Sequence, residues 1–385
     1  MTKRILFAVI LLVFTAPMIQ NSLGIIESGK LYGDFRLAED VEFSFKEWWT
    51  GEYQEKKSKY HNDNFGFHND FVRINNQVHY SFFDKIHAHS IVLGKEHYLF
   101  SEYGIGQFCG TNRTNDTFLQ ERLGKLKDIQ DTLERLGKVL LFVQAPAKSR
   151  YYPEYFPESL ACEDTDQSDY HRFVALSDSL HINHLNLNGW FVSLKRQTKY
   201  PLFLKQGYHW SKYGTILAAD SLVECLTRQL NQKLPDLVIT SVRINHDISE
   251  QDRDISTSLN LIFPFVEESE GLPDYHFEED STSKKPKVIF LGDSFLWSFS
   301  YANIFESISK DWEFWYYFQD VWSRKSTAGE EEMKHMKDYD WRKSLLEADA
   351  LVMIYSETNL YRVGSGFIEE AFEHFYGKDV STVHR

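Results

Sequence analysis

At 385 residues the chain is long enough for one large or two ordinary domains with a sizeable core. Its 42% hydrophobic and 16% aromatic content excludes a disordered polypeptide. Lys plus Arg number 42 and Asp plus Glu 56, for a net charge of −14. The clustered basic footprint of a nucleic-acid-binding protein is not suggested, and no nucleic-acid partner is expected. An acidic surface also repels a polyanionic polymer unless basic residues line the groove locally.

Lys3 and Arg4 precede "ILFAVILLVFTAPMI", an apolar run over residues 5–19. A positive flank and an apolar stretch of this length read as an export signal. A spanning helix wants about 20 apolar residues, so the run fits either a signal cleaved after Gly24 or a retained inner-membrane anchor at 5–19. Residues 25–85 are polar and aromatic, with helical stretches and a turn-like "HNDNFGFHND". In "SIVLGKEHYLF" apolar residues alternate around Gly94, the pattern of two short strands and a turn. "TFLQERLGKLKDIQDTLERLGK" then places Leu119, Leu123, Leu126, Ile129 and Leu133 near one helical face. It feeds "VLLFVQAPA", an apolar run of the kind buried on both faces of a parallel sheet.

That grammar recurs. "HRFVALSDSL" and "YGTILAADSLVECLTRQL" read as helices, "KVIFLGDS" as a second buried strand, and "EFWYYFQ" as a third. "WRKSLLEADALVMIYSE" reads as a helix followed by a fourth strand, while "HDISEQDRDIST" and "FVEESEGLPDYHFEEDSTSKKPK" read as polar, acidic loops. A helix feeding a buried strand is half of a βαβ unit, so the expectation is an α/β sandwich on a mainly parallel sheet with an N-terminal extension. Of three cysteines, Cys109 and Cys162 flank loop-like stretches and form the better candidate pair, while Cys225 sits in a helical pattern as a buried thiol. No cysteine has metal-ligand spacing, and neither a metal nor a cofactor is expected.

Ser294, in Gly292-Asp293-Ser294, stands where a buried strand leaves the sheet, the edge at which open α/β sheets bind ligands. The helix expected after it would aim backbone N–H groups at the site, as an oxyanion requires. A serine is a weak nucleophile without a base in hydrogen-bond reach. His209, in "QGYHWSKYG" ahead of a helix, is the candidate base. The same stretch also reads as packing, with Ser211 a helix cap and His209 and Trp210 core residues.

Six blocks in order resemble the AlgJ/AlgX-type family of SGNH-hydrolase-like proteins, which O-acetylate alginate and related exopolysaccharides. They are "NDNFGFHNDFVRINNQVHYSFF", with His68 where Arg is usual, "IVLGKEHYLF", "APAKSRYYPEYFP", "GYHWSKYGTILAA", "VIFLGDSF" and "ALVMIYSETNL". The resemblance implies an SGNH-hydrolase-like three-layer sandwich over 90–385, a signal peptide or anchor over 1–24 and an extension over 25–89. It implies that Ser294 carries acetyl and that His209 takes its proton and then activates a sugar hydroxyl. By the same analogy, the acetyl donor is a membrane-bound O-acyltransferase partner and the substrate an exported polysaccharide in the periplasm or cell envelope.

One position departs from the pattern. The acid of the family's D-x-H-W stretch is Gly207 here, and a triad acid orients and stabilises the imidazolium. Three readings stay open: an acid from elsewhere, with Glu357 and Asp274 as candidates; a Ser–His dyad oriented by backbone or water; or an impaired paralogue that binds polysaccharide or scaffolds the secretion machinery. Asn359 is a candidate oxyanion-hole amide. Trp210, Tyr208 and Trp297 are candidate stacking surfaces for sugar rings, and Arg362 and Lys148 candidate contacts for sugar carboxylates.

Overall fold

The computed structural model describes residues 2–33, 37–164, 166–324 and 331–377. Two compact units emerge: Met1–His89 with Asp254–Glu267, and Ser90–Arg253 with Glu268–Arg385.

The first unit is helical. Its leading helix, Thr2–Leu23, is long and apolar enough to cross a membrane and lies near the N-terminus, where a signal sequence meets the same description. The turn at Phe65–Gly66–Phe67 needs its glycine, because a Cβ there would run into the Pro17 carbonyl and the Asn21 amide. The helix His68–Phe83 follows. Its Asn76 amide donates to the Leu259 carbonyl at 2.9 Å and its Tyr80 hydroxyl to the Phe265 carbonyl at 2.9 Å. These two bonds draw the 254–267 segment, part of which was expected to be loop, onto the helix. Asp254–Thr257 there forms a short helical turn.

Among its described residues the second unit holds eleven strands. They are β1 (Ile91–Leu93), β2 (Leu99–Ser101), β3 (Val139–Ala145), β4 (His184–Asn186), β5 (Asp236–Asn245), β6 (Glu270–Glu278), β7 (Lys287–Gly292), β8 (Asp311–Tyr316), β9 (Asp320–Arg324), β10 (Glu331–His335) and β11 (Ala350–Ser356). Seven of them form one sheet in the order β10-β9-β8-β7-β11-β3-β4. β8, β7, β11, β3 and β4 run parallel, and β9 and β10 add an antiparallel edge.

The central strands are apolar on successive residues over 139–143, 288–291 and 350–355 because both faces are covered. Leu141, Val143, Val288, Phe290, Val352 and Ile354 enter one core, while Leu140, Phe142, Ile289, Leu291, Leu351 and Met353 enter the other. The helix Lys212–Leu230 packs its Ile216, Ala219, Leu222 and Leu226 into the first. The helix Asp116–Arg135 sends Leu119, Leu123, Leu126, Ile129 and Leu133 into the second. Asn115 caps that helix, accepting from the Phe118 amide at 3.2 Å. Burying one such leucine is worth about 1.5–3 kcal/mol.

The acidic stretch 265–287 is not all loop. β6 pairs antiparallel with β5, a strand the composition had hidden, setting Tyr275 opposite Ile239 and Phe277 opposite Leu237. These four alternate residues pack onto the first core, and that burial decides the segment. A third small core, of Phe100, Ile105, Phe108 and Phe156, packs against the Cys109–Cys162 disulfide, whose Cα atoms lie 5.7 Å apart. Cys225 is a buried free thiol, and burial pushes its pKa up.

Candidate active site

β7 ends at Gly292, where any side chain would collide with the Ile354 carbonyl of β11. Glycine therefore lets the two strands close up where the chain turns out of the sheet. Asp293 comes next and turns inward, fully buried. Its Oδ1 accepts from the Phe295 amide at 3.1 Å. Its Oδ2 accepts from the Ser356 amide at 2.8 Å, the Ser356 hydroxyl at 2.8 Å and the Asn359 side-chain amide at 2.7 Å. Four donors offset the desolvation of the carboxylate and bolt the end of β7 to the end of β11. Ser294 then opens the helix Phe295–Tyr301, half-buried at the sheet edge.

His209 Nε2 lies 2.8 Å from Ser294 Oγ, within the reach a general base needs. The imidazole is packed edge-on to Phe295, with ring centroids 4.8 Å apart, and against Tyr208 at 5.3 Å. The loop that carries it is closed by a bridge between Phe203 and Trp210 and by the Ser211 amide on the Leu202 carbonyl at 2.8 Å. Ser211 caps the following helix, accepting from Gly214 at 3.1 Å. Tyr208 bonds through its hydroxyl to Thr358, Thr358 lies 3.0 Å from the Ser356 hydroxyl, and Ser356 holds Asp293. One chain of hydrogen bonds thus links the histidine loop to the residue before the serine.

The serine has a neighbour that sequence reasoning missed. Tyr317 lies beside Ser294, and burial together with the nearby Asp293 charge pushes its pKa up to about 12. It is therefore neutral at neutral pH. Tyr317 follows β8, whose Tyr316 pairs with Gly292 of β7, and its amide donates to the Gly292 carbonyl at 2.8 Å. Its φ is 49°, a left-handed conformation that costs a bulky residue about 1–3 kcal/mol and clusters at functional sites. The signal was available in "EFWYYFQ": a strand beside "VIFLG" delivers the residues after both strands to the same edge.

Other candidate residues sit elsewhere. Glu357 is fully buried, but both its oxygens are taken: Arg150 Nε and Nη2 donate to them at 2.6 and 2.7 Å, and Asn188 donates at 2.8 Å. Asp274 lies on the exposed β5–β6 hairpin, where Arg243 donates at 2.9 and 3.0 Å and Ser241 at 2.6 Å. The Arg243 hydrogen bonds, with that from Ser241, lower its pKa to about 2. Neither carboxylate is drawn to the imidazole by these contacts. Asn359 spends its side-chain N–H groups on Asp293 and on the Ser356 hydroxyl at 3.3 Å, so they face the scaffold instead of an oxyanion. Trp210 is 2% exposed, wedged among Phe191, Phe295 and Phe299, with no face left for a sugar ring.

Arg362 donates to Asn359 Oδ1 at 3.0 Å and lays its guanidinium over the Tyr317 ring at 4.3 Å, still half-exposed. Tyr208 is half-buried beside the histidine. Trp297 stacks within a cluster of Tyr301, Phe314, Tyr316 and Trp322. Lys148 is buried, and its ammonium donates to the Lys205 and Gly207 carbonyls at 2.7 and 2.8 Å. Among the described residues no cluster of three or more His, Cys, Asp or Glu side chains is placed to hold a metal ion.

Residues 91–303 match the model of a family described as the SGNH hydrolase-like domain of the acetyltransferase AlgX. The chain belongs to that family. The matched segment contains His209 and Ser294 of this AlgX-family chain and stops before Glu357 and Asn359. A curated relative, the probable alginate O-acetylase AlgJ of Pseudomonas putida, is 28% identical over 139 residues, or 36% of this chain and 34% of the relative. The aligned stretch thus spans about a third of that relative's length. Among solved structures, the O-acetyltransferase domain of P. putida AlgJ is similar, at 17% identity and TM-score 0.47 over 74% of this chain and 99% of that one. Pseudomonas aeruginosa AlgX matches at 12% identity and TM-score 0.45 over 72% of this chain and 67% of that one. The AlgX-family fold is the SGNH-like α/β arrangement described above, a mainly parallel mixed sheet.

Proposed function

We propose that this AlgX-family chain is an O-acetyltransferase that passes acetyl through Ser294 to hydroxyls of an exported, alginate-like polysaccharide. The observation that carries the reading is the 2.8 Å approach of His209 Nε2 to Ser294 Oγ at the C-terminal edge of the sheet. In the first half-reaction Ser294 Oγ bonds to the acetyl carbon as His209 takes the hydroxyl proton. The tetrahedral intermediate then expels the donor's oxygen, which receives that proton from His209. In the second half-reaction a sugar hydroxyl gives its proton to His209 and attacks the acetyl carbon. Collapse releases Ser294 Oγ, which recovers the proton. Tyr317, a neutral phenol beside Ser294, suits the charge that develops there.

The acetyl donor in this reading is a membrane-bound O-acyltransferase. The site of action is the periplasm or cell envelope, with the Thr2–Leu23 helix as export signal or inner-membrane anchor. A soluble form lacking that helix, assayed on a small acetyl ester with Ser294→Ala and His209→Ala beside it, tests the reading. Turnover abolished by both substitutions supports it. An inert wild type that still binds polymer would instead support the polysaccharide-binding or scaffold paralogue, and acetyl released only to water would make the chain an esterase.

A further inference from the structure

Lys148 lies far from His209 in sequence but touches the loop that carries it. Its side chain is 5% exposed, set among the rings of Tyr98 and Phe100. A buried ammonium is costly unless its hydrogens are met. Two of them go to backbone carbonyls two residues apart, Lys205 at 2.7 Å and Gly207 at 2.8 Å. The same loop is gripped by the opposite charge. Glu268 Oε1 accepts the Lys205 amide at 2.6 Å. Glu268 is half-buried and lies within electrostatic range of Lys148. Both backbone polar groups of Lys205 are therefore held, by Lys148 and by Glu268, and the imidazole leaves the chain two residues beyond the second carbonyl. Beyond His209, the Phe203–Trp210 bridge and the Ser211 amide close the loop. A fixed point before the imidazole and another after it leave the side chain little freedom.

We propose that Lys148 is a positioning residue for His209: its ammonium fixes the Gly207 carbonyl and so sets where the imidazole meets Ser294. The position that would carry an orienting acid in the D-x-H-W stretch offers only its carbonyl here, and Lys148 binds that carbonyl. The inference rests on the acyl-transfer reading, and a displacement of about 1 Å at a catalytic group can cost about a hundredfold in rate.

The test is Lys148→Met, which keeps the stem and removes the charge, with Lys148→Arg as the conservative variant. Leu126→Ala, in the helix on the other face of the sheet, serves as a control for lost stability. In Lys148→Met, kcat on a small acetyl ester falls about a hundredfold while KM stays within about threefold, and Lys148→Arg recovers part of the loss. Amide exchange across residues 205–210, measured on the full chain in detergent, speeds up in the same variant. Leu126→Ala, destabilised but folded, keeps wild-type kcat. Wild-type kcat in Lys148→Met, with Ser294→Ala inert, overturns the positioning role and leaves the acyl-transfer reading intact. An equal loss of kcat in Leu126→Ala also overturns it. Turnover that survives Ser294→Ala sinks the acyl-transfer reading, and the positioning role falls with it.

Discussion

Arg150 and Glu357, 207 residues apart, form a two-pronged ion pair inside the domain, with guanidinium nitrogens 2.6 and 2.7 Å from the two carboxylate oxygens. Asp164 adds a third bond to the guanidinium at 2.6 Å and Asn188 a donor to the carboxylate at 2.8 Å. Burial works against the Arg150 charge, yet Glu357 and Asp164 outweigh it and raise its pKa. The pair ties the segment after β3 to the end of β11, next to the Ser356 that holds Asp293.

That placement makes Glu357 a structural residue. Glu357→Ala leaves a buried cation short of its main partner, a loss worth about 3–5 kcal/mol, with Asp164 holding the effect toward the lower end. Urea denaturation measures it. The molecules that remain folded keep near-normal kcat; a loss of about ten thousandfold in kcat with stability unchanged would mean that Glu357 orients His209 after all.

Tyr317→Phe removes only the hydroxyl beside Ser294 and leaves the ring under Arg362. The expected result is a fall in kcat of about ten- to a hundredfold, below the 10²–10³ of a full oxyanion-hole donor because Tyr317 stands beside the nucleophile. KM changes little, and the melting temperature stays close to wild type. Steady-state kinetics on an acetyl ester decide it.

Asp274 has a distinct acid–base signature. Its pKa is lowered to about 2 by Arg243 and Ser241. A carboxylate whose folded pKa is depressed stabilises the fold above its ordinary pKa and loses that effect as pH falls through the depressed value. The window here runs from about 4 down to about 2, and salt weakens the effect at this exposed site. Carboxyl-carbon NMR shows the midpoint near 2, and Arg243→Gln moves it back up. Asp274→Asn leaves turnover unchanged.

Breaking the Cys109–Cys162 bridge, which closes a separation of 53 residues, costs about 2–4 kcal/mol. Thermal unfolding with and without reductant, or of the Cys109→Ala, Cys162→Ala double variant, measures the loss. An unchanged melting temperature would contradict it.

Much of the architecture is legible in the sequence because it depends on local pattern. Val139–Ala145, Lys287–Gly292 and Ala350–Ser356 are apolar on successive residues, which only a sheet covered on both faces allows. The leucine spacing of Asp116–Arg135 likewise reads directly as a buried helical face. What stays hidden depends on partners distant in the chain. β6 looks like an acidic loop until β5 supplies the register that buries Tyr275 and Phe277. Glu357 looks like a strand-end carboxylate free to serve the site until Arg150 is placed against it. Lys148 looks like a surface cation until the Lys205–Gly207 carbonyls fold over it. Asp293, read as part of a serine motif, is the bolt between two strand ends. Tyr317 becomes visible only through the pairing of Gly292 with Tyr316.

The central claim is that Ser294 carries the acetyl group, and the most direct measurement is mass spectrometry of the protein quenched in acid during turnover of an activated acetyl ester. An acetyl adduct on the peptide containing Ser294, absent in Ser294→Ala and much reduced in His209→Ala, is the result predicted. Turnover without an adduct on Ser294, or an adduct that persists in Ser294→Ala, would contradict it.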